Sequence, residues 1–457
     1  MKRGKKLSKL LAMNNKIDIT PMRRLKDTLP FLLDSRIGII SSISEHAIEV
    51  DSPSFFRYNG IAANTEAFGE YKNFAVGGGA STTREAALAK TIGECVERYS
   101  AAIYTKTDFP LFSYNNAPFS CVHPHEFELF SNEQYQNPEF TFDKFDLDSQ
   151  VRWVPSRSLE TRETLYVPAS MVYVPYFFYE NGDETPICQP ISTGLSCHCS
   201  YEEAAIGGIC EVIERDCFMI TWQAGMSRSK IRPESLSDAN KDLIRRFENV
   251  GYEVHLMDIS NETRIPSILS VATHIETSYV PIVVAASVSL NPEEAVRKSL
   301  EELAHTERYA YQIKTELPRL LPDKNFDNIL GQVHHVNYWM TENIQHNAAF
   351  LYASENFIDF QQLPSFEKFS PKEDLAEISR LINQSGYKVL IVDITTQDIN
   401  SLGMYVIRAI IPGYHPLFMG FHNRSLDGRR LWTIPQRLGF KGITRESGDT
   451  PYPHPFP

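Results

Sequence analysis

Two six-residue stretches carry the residues best suited to chemistry, Gly93-Glu94-Cys95-Val96-Glu97-Arg98 and Cys210-Glu211-Val212-Ile213-Glu214-Arg215. Each places two glutamates three residues apart, with an arginine directly after the second. Each also sits in a helical pattern: Ala86, Ala87, Ala89, Ile92 and Val96 accompany the first, and Ala204, Ala205, Ile206, Ile209 and Ile213 the second. Residues i and i+3 share a helix face, so each copy presents a carboxylate pair in one direction. Such pairs suit a hard divalent cation such as Mg²⁺, whose shell is completed by waters and phosphate oxygens. The plainer reading makes Glu94/Arg98 and Glu211/Arg215 i,i+4 ion pairs on solvated faces, worth about 0.2–0.5 kcal/mol each. That reading serves for one copy. Two copies, each on an alanine-rich helix opened by a Gly/Ser/Thr stretch, point to a site.

The elements around the motifs follow from local pattern. Val76-Gly77-Gly78-Gly79-Ala80-Ser81 reads as a glycine-rich loop whose backbone can approach a phosphate closely, and Thr82 or Thr83 can cap the helix behind it. It is not a Walker A loop, because no Gly-Lys-Ser/Thr follows. Before the second motif, Ser200 with Glu203 fits a capping box. Ile37 to Val50 alternates like a strand, as do short runs at Arg152–Pro155 and Leu165–Ala169. Residues 102–190, dense in Phe, Tyr, Asn and Pro, read as an insertion. Strands are expected at Tyr252–Ile259, Ile265–Val271, Val280–Ser287, Tyr387–Asp393 and Val406–Ile411. Pro292 at a helix N1 position opens a long helix carrying Lys298, Glu301, Glu302 and His305. This alternation gives an α/β (α+β) class, with residues 1–60 as an N-terminal segment and 61–457 as one domain. The chain ends Pro451-Tyr452-Pro453-His454-Pro455-Phe456-Pro457, and its alternate prolines favour a stiff, extended, docked tail.

Composition sets the outer limits. A net charge of −12 over 457 residues argues against a generic nucleic-acid binder, though bridging metal ions can reverse the local field for a small anion. The basic Met1–Lys16 segment is followed by only a short apolar step, Leu10–Met13. A secretory signal needs about 7–15 apolar residues there. No run approaches the ~18 of a membrane span, so a cytoplasmic, non-membrane protein is expected. Five of the seven cysteines lie between Cys188 and Cys217. Cys197-His198-Cys199 has no second close Cys/His pair at a zinc-ribbon distance, so buried thiols are expected.

Taken together, the motifs resemble the YcaO superfamily, and within it the azoline-forming cyclodehydratases of ribosomal peptides. The resemblance runs from about Ser81 to Pro457. The family's first motif, Ser-x3-Glu-x-x-Glu-Arg, matches at Glu94, Glu97 and Arg98, with Lys90 at the serine position. The second, Ser-x6-Glu-x3-Gln-x3-Glu-x-x-Glu-Arg, matches at Ser196, Glu203, Glu211, Glu214 and Arg215, with Gly207 at the glutamine position. A third helix that usually carries Glu-x-x-Gln reads Glu302-x-x-His305. Val392 to Ile399, Gly403, Val406 to Gly413 and Gly428 to Leu431 also look like the family, and the Pro-x-Pro-x-Pro terminus is typical of the cyclodehydratase branch.

The resemblance implies a YcaO fold of mixed sheets flanked by helices, with Mg²⁺–ATP between the two E-x-x-E-R helices. Glu94, Glu97, Glu211 and Glu214 would hold the metal. Ser81, Arg98, Ser196, Glu203, Arg215 and Glu302 would contact the nucleotide, the two arginines either touching phosphates or orienting glutamates. The Pro457 carboxylate, carried by the 451–457 tail, would assist proton transfer. The substrate implied is a ribosomal precursor peptide whose Cys, Ser or Thr becomes a thiazoline or oxazoline. An E1-like or leader-recognition partner is expected, as is a homodimer. Thioamide or amidine formation is the alternative activity, and a non-catalytic scaffold the alternative class.

Overall fold

The computed structural model describes residues 21–457 apart from 128, 179–181, 277 and 342–343. The basic segment Met1–Lys16 lies outside the described residues. In chain order the helices are α1 (Pro21–Leu32), α2 (Arg84–Ser100), α3 (Asn132–Gln136), α4 (Tyr201–Gln223) and α5 (Asp238–Glu248), then α6 (Pro292–Glu316), α7 (Gln332–Tyr338), α8 (Pro371–Gln384), α9 (Gln397–Ser401) and α10 (Arg429–Arg437). The strands are β1 (Ile40–His46), β2 (Phe56–Ala62), β3 (Val76–Ser81), β4 (Leu111–Phe112), β5 (Val151–Ser158), β6 (Thr164–Pro168) and β7 (Leu195–His198). They continue with β8 (Lys230–Ile231), β9 (Glu253–Asp258), β10 (Ser267–Thr273), β11 (Ile282–Val288), β12 (Phe357–Ile358), β13 (Leu390–Asp393) and β14 (Tyr405–Ile410).

Three sheets result. One is the antiparallel β1-β2-β3; the second has the order β11-β10-β9-β8-β12, with only the β8–β12 pair parallel. The third has six antiparallel strands, β4-β5-β13-β14-β7 with β6 beside β5. Region 102–190 therefore does not stand apart: β5 pairs with β13, Leu390 opposite Ser158, and lies inside that sheet. Local pattern could not show this, because the two partners are more than 230 positions apart in sequence.

Strand periodicity lets the six-stranded sheet serve two cores. Along β14, Ile407 and Ala409 join the cluster containing Ile209, Val212 and Ile213 of α4, whereas Val406 and Ile410 join the cluster containing Ile92, Cys95 and Val96 of α2. The two motif helices are thus each anchored by the same sheet. β3 approaches α2 even more closely, and here the glycine-rich stretch proves to be a strand rather than a loop. A Cβ on Gly79 would lie 2.6 Å from Lys90 Cβ and 2.7 Å from the Ala87 carbonyl oxygen. Its glycines admit a helix against the strand. Both caps form: Thr83 accepts the Ala86 N–H at 3.2 Å, and Ser200 accepts the Glu203 N–H at 3.3 Å, though the Glu203 carboxylate takes the Ser200 hydroxyl instead of closing a capping box on the Ser200 N–H.

Candidate active site

The two motifs are built as a repeated brace. Gly78 on β3 donates its N–H to Glu94 at 2.8 Å, and Gly194, just before β7, donates its N–H to Glu211 at 2.8 Å. The arginine one turn on closes each brace: Arg98 Nη2 reaches Glu94 Oε1 at 3.2 Å, and Arg215 Nη2 reaches Glu211 Oε1 at 3.2 Å. Each first glutamate is therefore fixed between a backbone donor and a guanidinium. Glu97 crosses between the halves, accepting the Cys197 N–H of β7 at 2.8 Å. Glu214 lies 3.8 Å from Arg215 Nε.

The carboxylates crowd one another. Burial raises the Glu97 carboxyl well above the usual range, and the charges of Glu94 and Glu211 add to it. Burial pushes Glu214 up to about 8, Arg215 opposing and Glu211 and Glu302 reinforcing. Acidic groups gathered this way favour either protons or cations. Among the described residues no three His, Cys, Asp or Glu side chains close on one point as a protein metal cage does. Mg²⁺ is commonly held by one or two carboxylates together with phosphates, and the glutamate pairs offer such carboxylates. Arg98 Nε and Arg215 Nε and Nη1 are buried without a hydrogen-bond partner among the described residues, which leaves donors for phosphate oxygens. The donor set fits a Mg²⁺–nucleotide.

A third set of charges borders the first motif. Lys90 Nζ reaches Glu301 at 3.0 Å and Glu302 at 3.3 Å, and Arg297 reaches Glu301 at 2.7 Å. Burial works against ionisation of Glu301, yet Lys90 and Arg297 outweigh it and hold its carboxyl low. Ser81 is 1% exposed and gives its hydroxyl to Glu301 at 2.7 Å. Lys90 thus stands where it can neutralise two glutamates of α6. Glu302 is 44% exposed beside His305, whose ring packs on Gly78. Ser196 faces α4 so closely that a Cβ on Gly207 would overlap its Oγ, which accounts for glycine there. Glu203 takes the Ser200 hydroxyl at 2.5 Å and lies 2.9 Å from His198 Nδ1 at the start of α4. The meeting of Lys90 and Arg297 on Glu301 was not read in the sequence, where Lys90 stood only in place of the family's serine and Glu301 only as a residue of the long helix.

The tail is held by its carbonyls, since proline supplies no N–H. Trp222 Nε1 donates to Tyr452 O at 3.3 Å, Trp339 Nε1 to Pro453 O at 2.9 Å, and His454 Nε2 to Phe418 O at 2.8 Å. His335 takes the Gly420 N–H on Nε2 at 3.1 Å, which leaves Nδ1 to donate to His454 O at 3.1 Å. Burial holds His454 down at about 4, so it docks neutral. Phe456 is 3% exposed, its ring 4.4 Å from that of Phe218, and the Arg215 guanidinium lies 4.6 Å above it. Pro457 follows directly, one residue from the ring that covers the second motif's arginine.

A family model described as YcaO cyclodehydratase, ATP- and Mg²⁺-binding, matches residues 78–415, which include both braces. The chain belongs to the YcaO family. By sequence, this YcaO chain is similar to an uncharacterized protein of Methanothermobacter thermautotrophicus, 26% identical over 347 residues, 73% of this chain and 80% of the other. Among solved structures it resembles a heterocyclase in complex with substrate and cofactor, with TM-score 0.77 and 19% identity over 96% of this chain and 57% of that one. It also resembles YcaO from Methanopyrus kandleri bound with AMPPCP and Mg²⁺, with TM-score 0.61 and 20% identity over 87% and 91% of the two chains. These likenesses establish the shared fold. The YcaO chain spans little more than half the length of that heterocyclase. ATP and Mg²⁺ are the family's cofactors, and the paired braces are the residues here that fit them.

Proposed function

We propose that this YcaO chain catalyses ATP-dependent cyclodehydration of Cys, Ser or Thr residues in a ribosomal precursor peptide, giving thiazolines or oxazolines, with a leader-binding partner. The observation that carries the reading is the doubled brace: Gly78–Glu94–Arg98 and Gly194–Glu211–Arg215, joined by Glu97 to Cys197. ATP supplies the phosphoryl group that converts the attacked amide oxygen into a leaving phosphate, with Mg²⁺ neutralising its charge. The chain's own residues hold and orient. Glu94 and Glu211 are preset by their braces, so little rearrangement is needed when cations arrive. Glu97 and Glu214, whose carboxyls burial raises, would hold the metal in their ionised forms. Arg98 and Arg215 keep one edge on their glutamates and have nitrogens left for phosphate oxygens.

The tail supports the peptide part of the reading. Arg215 touches a motif glutamate on one side and Phe456 on the other, which supports a tail that reaches the nucleotide proposed here. The Pro457 carboxylate is the group we assign to proton transfer at the reacting amide. Incubation with ATP, a leader-bearing peptide and its partner tests the reaction. One water lost from the peptide per ring, with ADP released in step, is expected. Exchange of an amide oxygen for sulfur, or ADP release with no change in the peptide, would replace this reading.

A further inference from the structure

Next to the second brace lies a cavity of about 130 Å³ that the nucleotide reading does not use. Its walls are largely apolar, with Phe130, Met171, Ile191, Val212, Leu417 and Phe418 among them. Two of these belong to features already described. Val212 follows Glu211 on α4, and Phe418 carries the carbonyl that receives His454 of the tail.

Among the described residues one cation lines this cavity. Arg408, on β14, is 5% exposed; its Nη2 donates to Ile191 O at 2.9 Å, while Nε and Nη1 have no hydrogen-bond partner among the described residues. Burial lowers its ionisation to about 10, Glu211 and Cys188 opposing, so it stays charged at neutral pH. Among the described lining residues the other charged group is Glu126. It takes Lys388 Nζ at 2.9 Å in an adjoining surface groove that shares Glu126 and Gly413 with the cavity. His415 also lines the cavity, but burial holds it down at about 4, so it is neutral. A buried guanidinium with two unpartnered nitrogens among apolar walls calls for a ligand that pairs an electron-rich oxygen with a hydrophobic body. The strand sequence Val406-Ile407-Arg408-Ala409-Ile410-Ile411 shows the same oddity, one charge inside an apolar run.

We propose that this cavity receives the acyl portion of the peptide residue that precedes the cyclising Cys, Ser or Thr, its apolar side chain against these walls and its carbonyl oxygen on Arg408. The proposal rests on the cyclodehydratase reading above and adds a specificity: an apolar residue at that position, with Arg408 as the group that binds the oxygen on which negative charge develops. Nothing in it requires a bond to Arg408, which stays protonated throughout.

Binding can be measured without ATP or peptide turnover, so this test is separate from that of the reaction. N-acetyl-L-leucine serves as probe, its carboxylate standing for the charged oxygen and its side chain for the apolar residue. Calorimetric titration of the wild-type chain should show saturable binding of one equivalent. The neutral N-acetyl-L-leucinamide should bind about tenfold more weakly or worse, since a charge-assisted hydrogen bond is lost, and so should N-acetylglycine, which lacks the apolar body. Arg408→Met should lose binding to the same degree, and Arg408→Lys should keep most of it. Absence of saturable binding in wild type, equal binding of acid and amide, or undiminished binding by folded Arg408→Met would each overturn the assignment. The wild-type ligand series decides the matter even if Arg408→Met does not fold.

Discussion

The two halves of the site share one brace and differ in what surrounds it. In both, a backbone N–H at 2.8 Å and an arginine at 3.2 Å fix the first glutamate. The first half, on β3 and α2, looks onto a dense charge cluster of Lys90, Arg297, Glu301 and Glu302. The second, on β7 and α4, looks onto aromatic packing: Phe456 over Arg215, Phe218 beneath it, and the Arg408 cavity beside Val212. Like geometry in unlike surroundings implies divided labour. Under the proposed function, the first half would set the charge balance around the nucleotide and the second would join that nucleotide to whatever reacts with it.

Removing Pro453–Pro457 would break this contrast most sharply, because it strips only the second half. Peptide heterocyclisation should fall below detection while Mg²⁺–ATP affinity changes by less than about tenfold; a truncated chain that still modifies peptide would put the tail outside the chemistry. Glu97→Gln and Glu214→Gln come next. Each should lower ATP-dependent turnover by roughly 10²–10³, since losing a metal-facing charge costs several kcal/mol of transition-state stabilisation. A much larger effect in one half than in the other would sharpen the division of labour, and normal turnover in both would remove the metal role.

The pH dependence is smaller and carries a sign. Folding raises Glu214 from 4.5 to about 8, so the chain takes up a proton on folding and the metal-free protein loses stability as pH rises through that window. Mg²⁺ binding must expel the same proton. Mg²⁺ affinity in the presence of nucleotide should therefore rise with pH up to about 8, by at most about tenfold per pH unit for one proton. Glu214→Gln should flatten that slope, as followed by Mg²⁺ titration at several pH values; an unchanged slope would assign the proton elsewhere. The smallest effect expected is on stability. Gly79→Ala forces a Cβ against Lys90 Cβ and the Ala87 carbonyl oxygen and should cost about 1–3 kcal/mol by denaturant unfolding. Gly182→Ala, where a Cβ meets nothing within 4 Å but φ is +66°, is the control for backbone strain alone.

Much of this was legible in the chain because its signals are local. The i,i+3 glutamates, the Ser200 and Thr83 caps, the Asn291-Pro292 start of α6 and the apolar runs that became β9, β10 and β11 all lie within a few residues of their partners. What stayed hidden depends on distance in sequence. Lys90 meets Glu301 across 211 positions, and no periodicity in either helix announces it. The Gly77–Gly79 run was read as a loop for close approach to a phosphate, and it is a strand approached by α2 and the His305 ring. Arg408 was visible only as a charge in an apolar strand. Such a residue cannot be told from a satisfied core arginine until its unpartnered nitrogens are seen.

The central claim is that the two braces form one nucleotide site. Equilibrium titration of a non-hydrolysable ATP analogue with Mg²⁺ into wild type, Glu94→Gln, Glu211→Gln and the double variant tests it most directly. One site predicts one equivalent bound per chain, about a hundredfold or greater loss in each single variant, and a double variant hardly worse than either, since residues acting as a unit are not additive. Full binding in either single variant, or two equivalents lost one by one, would show that the braces are separate ion pairs and contradict the account.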